Sequence, residues 1–81
     1  MYKIVISGYY GFNNIGDESI LTAVVNSLRE KLDDIEITVL SASPESTAAK
    51  YGVKSVNRRS FTSVMRTVRK CDLLISGGGS L

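Results

Sequence analysis

The sequence has no histidine and only one cysteine, Cys71, among its 81 residues. One cysteine cannot form an internal disulfide, and without histidine or a second cysteine the chain has no ligand set for a zinc site. A reducing, cytoplasmic environment suits such a sequence best. Long hydrophobic runs are also missing. The apolar run at the start of the chain ends at Gly8 and is too short for the core of a signal peptide or for a membrane span.

A strong charge of one sign is missing as well. Ten basic and eight acidic residues give a net charge of +2. We expect the basic residues to be scattered over the surface and not to form one patch. Together with the small net charge, this predicts no nucleic-acid partner. The hydrophobic fraction of 43% and the charged fraction of 22% are typical of a soluble globular protein. At 81 residues the chain forms one domain at most.

What the sequence does contain is an alternation of short apolar runs with amphipathic segments. The apolar runs predict strands over 2–7, 35–41, 53–56 and 72–76, and the first of them is typical of a strand buried on both faces. A helix is predicted over 17–32, because apolar residues recur there at helical spacing. Its predicted core-facing residues are Ile20, Leu21, Val24, Val25, Leu28 and Leu32.

Two further helices are predicted in the second half of the chain. Ser43 and Pro44 are a plausible N-cap and first helical residue, and Gly52 is a natural C-terminal residue for that helix. Ser60 can cap the last helix. The predicted core-facing residues of that helix are Phe61, Val64, Met65 and Val68.

The order of these elements, β-α-β-α-β-α-β, predicts an α/β fold with a Rossmann-like parallel sheet and helices on its faces. The expected strand order is 3-2-1-4, which makes strands one and four neighbours. In such sheets ligands bind in the crevice at the carboxyl ends of these two strands. Two glycine-rich loops follow those strands, over 8–18 and 77–81.

The first loop has the glycine spacing of a phosphate-binding P-loop at Gly11 and Gly16. Asp17 and Glu18, however, stand where that motif needs lysine and a serine or threonine, so an NTPase is excluded. The glycines also do not make the dinucleotide pattern G-x-G-x-x-G, and the second strand is not followed by a ribose-binding acid. The loop is therefore poorly suited to pyrophosphate.

Two interpretations of the first loop remain open. The polar side chains of Asn13, Asn14 and Asp17, with neighbouring aromatic faces, suit a hydroxyl-rich ligand such as a sugar. Alternatively, Asn14 or Asp17 simply caps the helix, the glycines supply positive φ angles and the tyrosines pack under the loop.

The other groups at this edge have a similar pair of interpretations. Gly77, Gly78 and Gly79 can present backbone N–H groups to an oxygen anion, or they can form a tight turn between a strand and a helix. Arg58 and Arg59 follow the third strand and could steer a phosphate or a carboxylate, or they could be a solvated pair.

The segments YYGFNNIGDESIL and DLLISGGGSL, at this separation, resemble the polysaccharide pyruvyltransferase family, including its CsaB-type members. The resemblance covers essentially the whole chain and is far more specific than either loop alone. It implies substrate-binding roles for the residues that match the two family signatures. These residues are Gly11, Asn13, Asn14, Gly16, Asp17 and Glu18 in the first loop, and Gly77, Gly78, Gly79 and Ser80 in the second.

The resemblance also implies an activity. Family members transfer a pyruvyl unit from phosphoenolpyruvate to a sugar as a cyclic ketal and need no further cofactor or metal. In the Gram-positive members that this chain most resembles, the acceptor is a cell-wall or surface polysaccharide precursor, assembled on a lipid carrier, which implies a cytoplasmic enzyme at the inner face of the membrane. Family proteins have two domains of the GT-B type and are several times longer. We therefore expect 1–81 to be an incomplete N-terminal domain, without the donor-binding domain and inactive alone.

Two other functions are compatible with the same sheet. One is a GT-B glycosyltransferase that uses a nucleotide sugar. The other is a non-catalytic, flavodoxin-like binding module. A receiver-type module would have an acidic phosphoacceptor at the end of the third strand, and Val56, Asn57 and Arg58 offer none.

Overall fold

In the computed structural model, strands and helices alternate along the chain. The structure describes residues 1–10 and 15–76, and the side chains of residues 1–7 and 19–75. The strands are β1 (Tyr2–Tyr10), β2 (Ile35–Ser41), β3 (Lys54–Asn57) and β4 (Leu73–Ser76). The helices are α1 (Ile15–Lys31), α2 (Pro44–Tyr51) and α3 (Phe61–Lys70).

The four strands form one parallel sheet in the order β3-β2-β1-β4. Ile4 of the central strand β1 is paired with Ile37 of β2 on one side and with Leu73 of β4 on the other. The α/β class and the predicted strand order are confirmed. Consecutive parallel strands need a crossover connection, and each of the three helices provides one. Helices α1 and α2 join neighbouring strands, and α3 joins the two edge strands, β3 and β4.

Strand β1 is buried on both faces where it crosses the middle of the sheet. Ile4, Val5 and Ile6 are each at most 2% exposed, as the uninterrupted apolar run predicts. The strand is longer than predicted, because it continues past Gly8 to Tyr10. Its pairing with β2 shifts register between Ser7 and Tyr10, and this irregularity lets the strand continue through the glycine.

Helix α1 packs on one face of the sheet. Leu21 and Val25 join Ile4, Ile6 and the inward residues of β2 in the main core cluster. The prediction was wrong for Ile20, which is 45% exposed, because it lies about 100° around the helix from Leu21. It was also wrong for Leu32, which is 40% exposed and follows the last residue of the helix.

Helix α2 covers the same face and ends as predicted. Gly52 adopts a left-handed conformation with φ of 64°, and its N–H donates to the carbonyl of Ala48 at 2.9 Å. The Arg29 guanidinium of α1 donates to the carbonyls of Tyr51 at 3.1 Å and Gly52 at 2.7 Å. A cation at a helix C-terminus is favourable, so this contact joins α1 to the end of α2.

Helix α3 lies on the opposite face of the sheet, where Thr67 lines a groove with Val5 and Thr38. Val64 and Val68 are half-buried. The predicted core stripe was wrong for Phe61 and Met65, which are 77% and 39% exposed. Both lie about 90° or more around the helix from the centre of its sheet-facing side.

The Ser60 hydroxyl does not cap a backbone N–H of α3. It donates instead to the hydroxyl of Ser63 at 3.0 Å. The predicted position of Ser60 before the helix is confirmed, but its predicted capping bond is not formed.

An exposed ion pair joins β2 to β3 at the amino-terminal half of the sheet. The Lys54 ammonium donates to the Glu36 carboxylate at 2.7 Å. This hydrogen bond, more than any other interaction, lowers the pKa of Glu36 from its ordinary value of 4.5. Because the folded-state pKa is the lower one, the stabilisation is complete above the ordinary value and is lost as the pH falls through the folded-state value.

We therefore expect Lys54→Gln to raise the pKa of Glu36 towards its ordinary value. An NMR titration of the Glu36 carboxyl carbon measures this directly. Lys50→Gln removes an equal charge from the exposed surface of α2 and should leave the Glu36 titration nearly unchanged. Equal shifts in the two variants would contradict the assignment of the effect to Lys54.

Candidate functional site

The carboxyl edge of the sheet is formed by polar residues, although the strands are apolar in the middle. Ser7, Ser41, Asn57 and Ser76 lie at or near the carboxyl ends of β1 to β4. Ser7 is in register with Ser76, and Ser41 is in register with Asn57. Ligand sites of parallel α/β sheets lie at this edge, so these pairs mark the two halves of the candidate site.

The half formed by β1 and β4 is the point where the direction of the crossovers changes. Helix α1 lies on one face of the sheet and α3 on the other, so the chain leaves β1 and arrives at β4 from opposite faces. This arrangement leaves a crevice between the two carboxyl ends, which is where such folds bind ligands. Strands β1 and β4 end beside this crevice, at Tyr10 and Ser76.

Strand β1 has a bulge near this edge, where it pairs with β2. Ser7 pairs with Leu40, but the next paired residue of β1 is Tyr10, opposite Ser41. Gly8 and Tyr9 are therefore extra residues on the β1 side. Bulges of this kind re-aim the chain and are frequent beside binding sites.

The half formed by β2 and β3 is closed by its own hydrogen bonds. The buried hydroxyls of Ser41 and Thr47 are 2.7 Å apart, and the N–H of Ser43 donates to the Ser41 hydroxyl at 3.0 Å. The N–H of Arg58 donates to the Ser41 carbonyl at 2.9 Å. These polar groups fix the first turn of α2 against the sheet. Because they are engaged with one another, the β1–β4 half is the better candidate for binding a ligand.

Sequence reasoning missed the Ser41–Thr47 pair. The available signal was a threonine in the first turn of a helix that follows a strand ending in serine. Buried hydroxyls need hydrogen-bond partners, and each of these supplies the other's. The pair has a structural role in this half of the edge.

Arg58 and Arg59 lie at the carboxyl edge, as predicted. The Asn57 side chain accepts a hydrogen bond from the Arg59 N–H at 2.9 Å, and the Asn57 carbonyl accepts one from the Ser60 N–H at 3.0 Å. This turn fixes the backbone that carries both arginines. Because β3 is two strands away from β1, the arginines start about 10 Å from the crevice. Their steering of an anion stays a prediction.

Three of the predicted site residues lie in α1. Gly16, Asp17 and Glu18 are the second to fourth residues of the helix, which begins two residues earlier than predicted. Asp17 is thus inside the first turn and does not occupy the N-cap position. Carboxylates there are favourable in the field of the helix and unfavourable for an incoming anion. The other predicted site residues lie outside the part of the chain that the structure describes. They are Gly11, Asn13, Asn14, Gly77, Gly78, Gly79 and Ser80.

Metal ligation receives no support from the side chains that the structure describes. In residues 1–7 and 19–75, no three acidic or sulfur-containing side chains come together as ligands would. Polar side chains at the described part of the carboxyl edge include Ser41, Ser43, Glu45, Asn57, Arg58 and Arg59. Their hydroxyl, amide and guanidinium groups suit hydrogen bonding to anions and hydroxyls.

A sequence model of the family described as polysaccharide pyruvyl transferase matches residues 14–81. The chain belongs to the polysaccharide pyruvyl transferase family. The match covers most of the chain and includes Asn14, Gly16, Asp17, Glu18 and the residues over 77–80, whereas Gly11 and Asn13 precede it. The predicted family resemblance is therefore confirmed. No curated protein and no solved structure was found to match the chain.

Family membership establishes the functional class at a coarse level. The family is one of transferases, and its description names a polysaccharide as the molecule concerned. Among the helices of residues 1–10 and 15–76, none has both the length and the apolar character that crossing a membrane requires.

Proposed function

We propose that this chain forms the acceptor-binding part of an enzyme that transfers pyruvate from phosphoenolpyruvate to a polysaccharide. The observation that supports this proposal most strongly is the family match over 14–81, which includes residues of both predicted loops. The sheet order adds a spatial argument. Because β1 and β4 are neighbours, the chain segments after them begin at the same crevice.

The proposed reaction forms a cyclic ketal. Two hydroxyl oxygens of one sugar bond to C2 of phosphoenolpyruvate, and the bond between C2 and the phosphate oxygen breaks. One hydroxyl proton goes to the methylene carbon, which becomes a methyl group, and the other leaves with inorganic phosphate. The reaction therefore needs groups that orient two hydroxyls, a proton donor to carbon and cations for the anionic donor.

The first loop suits the hydroxyl acceptor. Asp17 and Glu18 lie in the first turns of α1, beside the chain that leaves β1. Carboxylate and amide oxygens accept hydrogen bonds from sugar hydroxyls, so we propose that Asp17, Glu18, Asn13 and Asn14 orient the acceptor. We propose that the backbone N–H groups of 77–79, after β4, bind an oxygen anion of the donor or the intermediate.

The donor requires more than this chain offers. Phosphoenolpyruvate carries a phosphate and a carboxylate, yet the sequence has no histidine, and Arg58 and Arg59 are the described cations that follow β3 at the carboxyl edge. We propose that a second domain of the GT-B type supplies the donor site. We further propose that the acceptor is a lipid-linked cell-wall precursor at the inner face of the membrane.

We therefore expect the 81-residue chain by itself to release no phosphate from phosphoenolpyruvate, with or without glycan acceptor. A protein that joins this chain to a donor-binding domain should release phosphate only when the acceptor is present. A phosphate-release assay on both proteins tests this expectation. Acceptor-dependent turnover by the 81-residue chain would contradict the proposed division of labour.

The same two-domain protein separates the proposed function from its alternatives. Incubation of the acceptor with phosphoenolpyruvate should modify it, and incubation with nucleotide sugars should not. Transfer from a nucleotide sugar alone would identify a glycosyltransferase. Binding of a glycan without any transfer would identify a binding module.

A further inference from the structure

The charges of this chain are segregated, although the net charge is small. Residues 46–71 contain seven basic and no acidic residues, whereas the rest of the chain contains three basic and eight acidic ones. The segment therefore carries +7 and the remainder −5, which corrects the expectation that basic residues are scattered. The basic residues of the segment are Lys50, Lys54, Arg58, Arg59, Arg66, Arg69 and Lys70.

Three of these cations share the outer face of α3 with exposed apolar side chains. Six exposed residues of this face line a shallow groove of about 500 Å³. They are Phe61, Thr62, Met65, Arg66, Arg69 and Lys70. At 100° per residue, Phe61 and Met65 occupy one side of this face, and Arg69, Arg66 and Lys70 occupy the rest. In the described part of the chain, none of the three cations forms a salt bridge.

The combination of apolar and cationic side chains limits the kind of partner. Cations alone would suit any polyanion, but an exposed phenylalanine beside a methionine gains free energy only where it leaves water. Proteins bind single-stranded nucleic acid by stacking successive bases on several aromatic side chains, whereas this face has one aromatic side chain, Phe61. A surface with cations around protruding apolar residues is typical of helices that lie in the interface of anionic membranes. Of the three helices, α3 has the strongest separation of polar and apolar residues.

The orientation of α3 relates this face to the candidate site. The helix starts shortly after β3 ends, so Phe61 lies at the carboxyl edge of the sheet and Lys70 at the opposite end. A surface on which Phe61 rests is therefore close to the edge where the predicted ligand loops begin.

We propose that the outer face of α3 binds the surface of membranes that contain anionic lipids. Phe61 and Met65 enter the headgroup region, while Arg66, Arg69 and Lys70 contact lipid phosphates. This binding does not depend on the proposed reaction, since it needs neither phosphoenolpyruvate nor a glycan. It would hold the carboxyl edge of the sheet close to the lipid surface.

Co-sedimentation of the 81-residue chain with vesicles tests this proposal. We expect the chain to bind vesicles with about one third phosphatidylglycerol in phosphatidylcholine, and to bind pure phosphatidylcholine vesicles much more weakly. Arg66→Gln with Arg69→Gln should lower the partition coefficient about 25-fold, because each cation at an anionic surface contributes about a factor of five. Phe61→Ser with Met65→Ser should lower it about tenfold.

The matched control removes two cations from the opposite face of the sheet. Lys31→Gln with Lys50→Gln causes the same change in net charge and should alter binding less than about threefold, because those residues lie away from α3. All of these positions are exposed, and circular dichroism with thermal unfolding verifies that each variant folds. Equal losses in the two charge variants would overturn the proposal. Absence of binding to the anionic vesicles would also overturn it, and binding of a single-stranded oligonucleotide in its place would identify a nucleic-acid surface.

Discussion

Replacing Leu21 by alanine is expected to lower the free energy of unfolding by about 3 kcal/mol. Leu21 is fully buried and packs in the cluster that joins α1 to β1 and β2. Truncation removes the apolar contacts and leaves a cavity, and both effects destabilise the fold. A small domain has a total stability of only about 5 kcal/mol or somewhat more, so this variant should lose most of its stability.

The matched control is Ile20→Ala, next to Leu21 on the same helix. Ile20 is 45% exposed, so its truncation should cost about 0.5 kcal/mol or less. Urea unfolding of both variants gives the two free energies directly. Similar losses in the two variants would show that α1 faces the sheet with a different side.

In the protein that joins this chain to a donor-binding domain, replacing Asp17 by asparagine is expected to impair use of the acceptor far more than use of the donor. The variant keeps the size of the side chain and removes its charge, so hydrogen bonds from sugar hydroxyls to it become weaker. Hydrogen bonds to charged groups contribute about 1.5–3 kcal/mol, and the ratio kcat/KM for the acceptor should therefore fall about 10- to 100-fold. The apparent KM for phosphoenolpyruvate should change by less than about threefold.

The structure supplies a control for this variant on the same helix. Glu30 lies in the last turn of α1, is exposed and is far from the carboxyl edge, so Glu30→Gln should leave acceptor kinetics unchanged. Loss of the favourable helix-terminus interaction predicts a stability loss for Asp17→Asn of about 0.3–1 kcal/mol. A lower melting temperature with unchanged acceptor kinetics would assign Asp17 a purely structural role in α1.

The element order and the sheet could be predicted because they depend on patterns that the sequence states directly. Short β-branched runs that alternate with amphipathic segments require crossovers, and the handedness of crossovers leaves few possible strand orders. The left-handed Gly52 and the Pro44 start of α2 were predictable for a similar reason, since each depends on the conformational limits of one residue.

Side-chain exposure was predicted less well. Spacing alone gives an apolar stripe, but it does not say how much of that stripe the sheet covers. Ile20 at one side of α1, and Phe61 and Met65 on the outer side of α3, fall beyond the covered part. The segregation of charge was missed because the net charge of +2 averages a basic segment with an acidic remainder.

The location of the candidate site in the fold could be predicted from the sequence, but the hydrogen bonds around it could not. The switch between crossover directions indicates the β1–β4 edge, and the structure confirms that these strands are neighbours. Hydrogen bonds such as those of Ser41 with Thr47 and Ser43 depend on how α2 docks, which no local pattern encodes. Because these bonds use the polar groups of the β2–β3 half of the edge, they favour the β1–β4 half as the ligand site.

We propose above all that this chain belongs to an enzyme that forms a pyruvyl ketal on a glycan. The most direct test gives phosphoenolpyruvate labelled with carbon-13 at C2, together with glycan acceptor, to the protein that joins this chain to a donor-binding domain. NMR of the product should show the label as a ketal carbon on the glycan, with an equimolar amount of phosphate released. An unlabelled glycan, or one extended by a sugar from a nucleotide sugar in the same mixture, would contradict the claim.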